Sequence, residues 1–278
     1  MTPKKRPRRE TPTLTSVRAR PAQQLVRVDP ADEDRAVILG QLAELLVAHA
    51  RIGQRIAFKG GAIMHLVDGS ARLSRDLDGS VVAGRPVRRV WVEQALSTPA
   101  ARRVVVSVPR IVNENPSSLV FPVVTCRSLS RRGQATLGVS FSINWDDPLL
   151  DPPMMATVEL GSRAVQIPVL TARERAAEKV RTFLTRGQAR DAYDLHHFGA
   201  HTLIATDRRR LPQLISRKLA GHVPDHWDLR ARWDEQTDLA REAYERGEGL
   251  VLLRPRPPWN EVLHELQRFR TCLPRRAA

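Results

Sequence analysis

The sequence predicts an α+β chain of two lobes, a mixed β-sheet with flanking helices followed by an all-helical part. Strand-like runs at 55–59, 76–82, 103–108, 119–125, 136–143, 157–160 and 164–168 lie close together and partly alternate, which suits a mixed sheet with antiparallel members. From Thr171 onward the spacing of apolar residues turns helical, at 172–185, 189–200, 208–220, 226–246 and 259–271. A chain of 278 residues with 42% hydrophobic content is long for one core and sufficient for two lobes. These observations divide it into a basic arm at 1–25, expected to be disordered, an α+β lobe at 26–170, and a helical lobe at 171–278 that completes a cleft.

Each element has a local reason. Up to about Ala22 the chain is Pro, Thr and Arg without periodicity. Asp29-Pro30 reads as an N-cap followed by Pro at the first helical position, with Asp32, Glu33 and Asp34 favouring the positive helix end. Ile38, Leu42, Leu45, Leu46 and His49 then form one stripe, so a helix is expected over 30–50. Arg55 to Lys59 is a short strand, Gly60-Gly61 turns the chain, and Ala62, Ile63 and Leu66 open a short helix ended by Gly69-Ser70. A strand at 76–82 and a helix at 86–96 follow, and the run Arg254-Pro-Arg-Pro-Pro258 sets off the last helix.

Composition narrows the class. Net charge is +15 and the pI about 11.2, a balance that attracts polyanions, nucleic acid first among them. No apolar run is long enough to span a bilayer, and the basic N-terminus is not followed by the apolar segment of a secretory signal, so a cytoplasmic protein without membrane contact is expected. Cys126 and Cys272 lie far apart and read as reduced thiols. The 45 basic residues include only five lysines, Lys4, Lys5, Lys59, Lys179 and Lys218. In a chain that otherwise uses arginine, an amine kept in the folded body points to a need for a compact charge with rotatable donors.

The chemistry concentrates in two stretches. On a strand, Asp76 and Asp78 point to the same side, and two carboxylates so close repel unless a cation sits between them. Mg²⁺ takes one or two carboxylates and leaves its other positions to water and phosphate oxygens. Gly60-Gly61 exposes backbone N–H groups at the start of a helix, a place suited to phosphate, with Lys59 and Arg72 near enough in sequence to neutralise it. The plainer alternative makes Gly60-Gly61 an ordinary turn and Asp76-Leu77-Asp78 a solvated face beside Arg72 and Arg75.

The stretch Lys59-Gly60-Gly61 … Arg72-Leu73-Ser74-Arg75-Asp76-Leu77-Asp78 resembles the first motif of the DNA polymerase β-like nucleotidyltransferases. More closely, it resembles the Lys-Gly-Gly … Arg-x-Ser-x-Asp-Leu-Asp pattern of the AbiEii/MenT toxins. Glu178-Lys179 … Arg186-Gly187 … Arg190-Asp191-Ala192-Tyr193-Asp194-Leu195 is similar to the later signature of that family, and the likeness spans about Phe58 to Phe198. It implies a two-lobed nucleotidyltransferase fold, with Asp76 and Asp78 as catalytic Mg²⁺ ligands. Lys59, Gly60, Gly61, Arg72, Ser74 and Lys179 would bind nucleotide, with Lys179 also catalytic and Asp194 a further catalytic or orienting carboxylate. It further implies transfer of a nucleoside monophosphate from an NTP to RNA, the tRNA 3′ end foremost, and a cognate antitoxin protein as partner.

From the residues alone, Lys179 is equally a solvated neighbour of Glu178, Arg190 and Asp194 an i,i+4 ion pair, and Asp191 a charge favouring a helix start. Two departures from the pattern stand out. Gly138 occupies the place before Val139-Ser140-Phe141 where relatives carry a third carboxylate, and Gly79 follows Asp78 where a hydrophobic residue is usual. His197/His201 and His222/His226 lie four apart, yet without a His-Glu-x-x-His context they read as ordinary histidines rather than a zinc site. Transfer to a small-molecule or protein hydroxyl, and RNA binding without catalysis, are the competing readings.

Overall fold

A computed structural model describes residues 29–82, 86–110, 112–128, 135–145 and 149–276. The basic arm predicted at 1–25 lies outside the described residues.

Helix α1 (Pro30–Ala48) starts as its sequence requires, with the Asp29 carboxylate accepting from the Ala31 N–H at 2.9 Å and Pro30 at the first turn. It crosses one face of the sheet and packs Ile38, Leu39, Leu42 and Leu46 into the core. Strand β1 (Ile56–Lys59) is buried along its whole length. Helix α2 (Gly60–Leu66) leaves it directly, and strand β2 (Asp76–Val81) returns antiparallel to β1, pairing Lys59 with Asp78. Then come α3 (Arg89–Leu96), β3 (Val105–Ser107), a two-residue β4 (Asn113–Glu114), β5 (Ser118–Arg127), β6 (Thr136–Asn144), β7 (Met154–Leu160) and β8 (Arg163–Val169). The predicted strands are all present within a few residues. β4 is additional, too short to leave a periodic signal.

The sheet runs β3-β5-β6-β2-β1-β8-β7, with β4 beside β5. It is mixed, as predicted: β2 is parallel to β6 and β1 parallel to β8, while the remaining pairs are antiparallel. β1 and β2 therefore occupy the middle, where both neighbours supply backbone hydrogen bonds and the strands are held most rigidly.

The helical part comprises α4 (Ala172–Arg186), α5 (Ala189–His197), α6 (Ala205–Leu219), α7 (Leu229–Arg246) and α8 (Trp259–Thr271). α5 ends three residues earlier than predicted and continues as a π-helical turn, Phe198–Thr202. A second hydrophobic cluster built on Phe183, Leu195, Phe198, Trp233 and Leu266 fills this part, and Met64 of α2 packs into it. A further tie joins the two parts: Leu73 N–H donates to Val251 C=O at 2.9 Å, and Leu253 N–H to Ala71 C=O at 2.9 Å. The loop leading into β2 is thereby fastened to the helical part on both sides of Arg72.

Candidate active site

The centre of the site follows from strand alternation. Asp76 and Asp78 lie on one face of β2, and the parallel register places Ser140 beside Asp76 and Ser142 beside Asp78 on β6. Each carboxylate accepts one hydroxyl, from Ser140 Oγ at 2.5 Å and from Ser142 Oγ at 2.7 Å. Among the described residues neither aspartate makes an ion pair with Lys, Arg or His. Two half-buried carboxylates held side by side by hydroxyls, without a countercharge, match the oxygen-only, two-carboxylate set that suits Mg²⁺. Gly60 keeps the space open: with φ at +80°, it lies so close that a Cβ there would stand 2.5 Å from Asp78 Oδ2.

Across from β2 stands one face of α4. Arg175, Lys179, Thr182 and Arg186, spaced four, three and four apart, line a cavity of about 280 Å³ with Lys59, Gly60 and Asp78 on the opposite wall. Gly187, in the left-handed conformation, ends α4 as the C-cap. The lining carries Lys59, Arg175, Lys179, Arg181 and Arg186 against Asp78 and Glu178, and further carboxylates, Asp68, Asp191 and Asp194, pair with the α4 cations Arg175, Arg186 and Lys179.

The structure does not bring every predicted site residue to this cleft. Lys59, Gly60, Asp78 and Lys179 line it. Asp76 adjoins it on the same strand face. Ser74 precedes β2, and its hydroxyl is turned to the backbone N and O of Asp76, at 3.4 and 3.3 Å. Gly61 makes room for a different group, since a Cβ there would stand 2.3 Å from Arg72 Nη2. Arg72 is buried and committed: Nε donates to Asp194 Oδ1 at 2.6 Å, Nη2 to Asp194 Oδ2 at 2.8 Å, and Nη1 to Leu73 C=O at 3.3 Å. Asp194 is fully buried, with its second oxygen also 2.7 Å from Lys179 Nζ. It stands behind the cleft, joining the loop before β2 to the two helices α4 and α5.

Burial alone would raise the Asp194 pKa, but the charges of Arg72 and Lys179 and their hydrogen bonds outweigh it, so the carboxyl stays below its ordinary range. Arg72 is correspondingly held protonated. Asp191 is equally buried, clasped by Arg186 at 2.7 and 2.8 Å, and lies 3.4 Å from Lys179. Lys179 is thus no solvated neighbour of Glu178, and Arg190 turns to Gln188 at 2.8 Å instead of to Asp194.

A second network lies beside the first. Lys59 Nζ meets Glu178 Oε2 at 2.9 Å, and Lys218 Nζ meets Glu178 Oε1 at 2.8 Å and Glu174 Oε1 at 3.0 Å. Glu174 also accepts the Leu150 and Asp151 N–H groups at 2.8 and 3.1 Å. Every lysine among the described residues therefore sits in a buried or nearly buried ion-pair network. Lys218 lies outside both sequence motifs, yet it is only 2% exposed and held between two glutamates. Lys218→Arg is accordingly not neutral: forcing a wider, planar group into a closed site costs about 1–3 kcal/mol, to be read as a lowered Tm against wild type.

Sequence reasoning assigned no site role to Ser140, Ser142, Asn144 or the arginines of α4, and it quoted Glu178 and Arg186 only as members of the later signature. The polar residues at every second position of β6 were the available signal for the first three. The two glycine departures also receive physical accounts. A Cβ at Gly79 would lie 2.7 Å from Ile56 Cδ1, so Ile56 fills the place of the usual hydrophobic side chain. At Gly138 the nearest neighbour to a Cβ is Val123 Cγ1 at 3.2 Å, and the row of side chains facing Asp76 and Asp78 continues with hydroxyls, not a carboxylate.

With this geometry in place, comparison with known proteins is direct. The family model for the nucleotidyl transferase AbiEii toxin of type IV toxin–antitoxin systems matches residues 44–269. The chain belongs to the AbiEii nucleotidyltransferase toxin family. Its fold is similar to that of MenT4, a nucleotidyltransferase toxin from Mycobacterium tuberculosis H37Rv, at TM-score 0.57 and 20% identity over 86% of this chain and 84% of that one. A protein from H. pylori described as a candidate nucleotidyltransferase matches at TM-score 0.54 and 14% identity over 88% of this chain and 96% of the other. A comparison with curated proteins gives no match. The AbiEii assignment agrees with the mixed sheet, the helical part and the order of the two motifs. No helix among the described residues is long and apolar enough to cross a membrane.

Proposed function

We propose that this AbiEii-family chain transfers a nucleoside monophosphate from an NTP to RNA, the tRNA 3′ end foremost, and so blocks aminoacylation and translation until a cognate antitoxin protein restrains it. The cleft is the observation that carries the reading: Asp78, with Asp76 beside it on the same face of β2, opposes Arg175, Lys179 and Arg186 of α4 across about 280 Å³, and neither aspartate is ion-paired among the described residues. Asp76 and Asp78 would hold Mg²⁺, which when bound neutralises charge on the phosphates and the displaced oxygen. Lys59 and Lys179 bind and orient the triphosphate from opposite walls. Glu178 and Asp194 fix these two amines through the 2.9 and 2.7 Å contacts, so the cations are placed before the nucleotide arrives. The net charge of +15 favours a polyanionic acceptor over a small-molecule or protein hydroxyl. A soluble, cytoplasmic setting goes with such a substrate.

The deciding experiment incubates the protein with each labelled NTP in turn, Mg²⁺ and total RNA. Label should enter RNA from one or a few NTPs, concentrated in the tRNA band and abolished by chelation. Label entering protein or small molecules but no RNA would overturn the acceptor assignment.

The amines give a separate prediction. Lys59→Arg and Lys179→Arg preserve charge but replace a compact ammonium by a planar fork in a filled network. Each variant should lose transfer by about a hundredfold, because displacing a reacting group by about 1 Å costs on that order. Wild-type rates in either variant would show that its amine does not orient the nucleotide.

A further inference from the structure

The surface at the start of β1 carries an arrangement that the cleft does not use. Trp91, in the first turn of α3, is half-buried, and three guanidinium groups gather on its indole: Arg55 at 5.3 Å from the ring centroid, Arg88 at 5.6 Å and Arg51 at 5.7 Å. They come from two separated stretches, the turn before β1 and the residue that opens α3. None of the three has a carboxylate partner among the described residues. Some exposed arginines are compensated, as where Arg163 meets Glu44 at 2.5 Å and Arg241 meets Glu245 at 2.9 Å, and others, such as Arg102, Arg103 and Arg209, are single charges uncompensated among the described residues. What sets Arg51, Arg55 and Arg88 apart is that three such groups gather on one ring. Arg232, which also stacks on an indole, that of Trp227, still pairs with Glu235 at 2.9 Å.

The local field adds to the imbalance. α3 begins with no acidic residue in its first turn and no side-chain cap, so the positive end of the helix lies beside Arg88. Indole faces attract guanidinium, yet one ring does not cancel the mutual repulsion of three cations drawn to it. Sequences break local electrostatic rules of this kind where function asks for it. An anion with several charges at close spacing relieves the repulsion, and arginine forks are shaped for phosphate oxygens.

We infer that Arg51, Arg55, Arg88 and Trp91 form a docking site for the phosphodiester backbone of a structured RNA, distinct from the nucleotide cleft. The distinction is one of place: Arg55 lies four residues before Lys59, roughly 13 Å away along an extended chain, at the opposite end of β1. An RNA held here would be gripped by its body while its reacting end reached the cleft. The inference rests on RNA being the acceptor, and it adds where on the protein that acceptor is held.

The test uses the full chain and the variant R51Q/R55Q/R88Q, with R88Q alone as the mildest change because Arg88 is exposed. Binding of labelled bulk tRNA is measured across a salt series, alongside NTP and RNA dependence of transfer. Loss of three phosphate contacts should lower the log–log salt slope by about 2–3 and weaken binding on the order of tenfold, with R88Q showing about one third of the slope change. The KM for RNA should rise while the KM for NTP stays fixed, and Tm should hold or increase as repulsion is relieved. Unchanged tRNA affinity and slope in the triple variant would overturn the docking site, even if wild type labels RNA normally. Slope loss in the variant, with wild type transferring nucleotide to no RNA, would instead support the site and overturn the acceptor reading. Wild type that binds anionic vesicles but not tRNA would overturn both.

Discussion

Asp194→Ala should destabilise the protein by about 3–5 kcal/mol, the usual cost of removing one partner from a buried ion cluster. The reason lies in what remains. Arg72 is 6% exposed and directs two donors at Asp194, and Lys179 places its amine 2.7 Å from the same group. Without the carboxylate, both cations stay in a closed space. At a few degrees per kcal/mol for a chain of this size, Tm should fall by roughly 10 °C. Asp194→Asn keeps the shape and one acceptor oxygen, so it should fold better than the alanine variant yet still transfer poorly, as Lys179 loses its fixed countercharge. The pH dependence follows from the sign. The folded-state carboxyl is held below its ordinary value, so its stabilisation is complete above an unfolded pKa of about 3.9 and is lost as pH falls through the lower folded value. Acid unfolding below about pH 4 should therefore be less steep in Asp194→Asn than in wild type. An alanine variant melting within about 1 °C of wild type would remove the cluster from its structural role.

Part of this arrangement was legible in the sequence and part was not. The pair Asp76 and Asp78 was readable because strand alternation is local, and Lys59-Gly60-Gly61 because a strand, a turn and a helix follow one another directly. The helices from Ala172 onward announced themselves by their periodicity and caps, as when Thr171 Oγ1 accepts the Glu174 N–H. The roles of Arg72 and Lys218 were hidden. An arginine in a loop reads as exposed until its partner is known, and Asp194 lies 122 residues further along. Lys218 belongs to no motif, and only the packing of α6 on α4 brings it between Glu174 and Glu178. Ser140 and Ser142 depended on a parallel register between β2 and β6, a long-range pairing that alternation within either strand does not specify.

The double variant Asp76→Asn/Asp78→Asn should lose nucleotide transfer entirely while folding as well as wild type. Each asparagine keeps the oxygen that accepts the Ser140 or Ser142 hydroxyl, so the hydrogen bonds at 2.5 and 2.7 Å survive in kind. What goes is charge. Two carboxylates on adjacent same-face positions repel one another, and no cationic side chain among the described residues compensates them, so neutral amides should leave Tm equal or higher. The same charge is what would hold Mg²⁺ against the polyphosphate, and each single variant should fall by at least about a hundredfold. Ser142→Ala, which removes only the hydroxyl, should by comparison cost about tenfold or less, because the carboxylate keeps its charge and loses only one orienting bond worth about 1 kcal/mol. Folding is read by thermal melting and transfer by label entering RNA. A double asparagine variant that keeps Mg²⁺-dependent labelling would move the chemistry away from β2. One that fails to fold would show that the aspartates are structural, and Lys59 and Lys179 would then face a wall rather than a metal site.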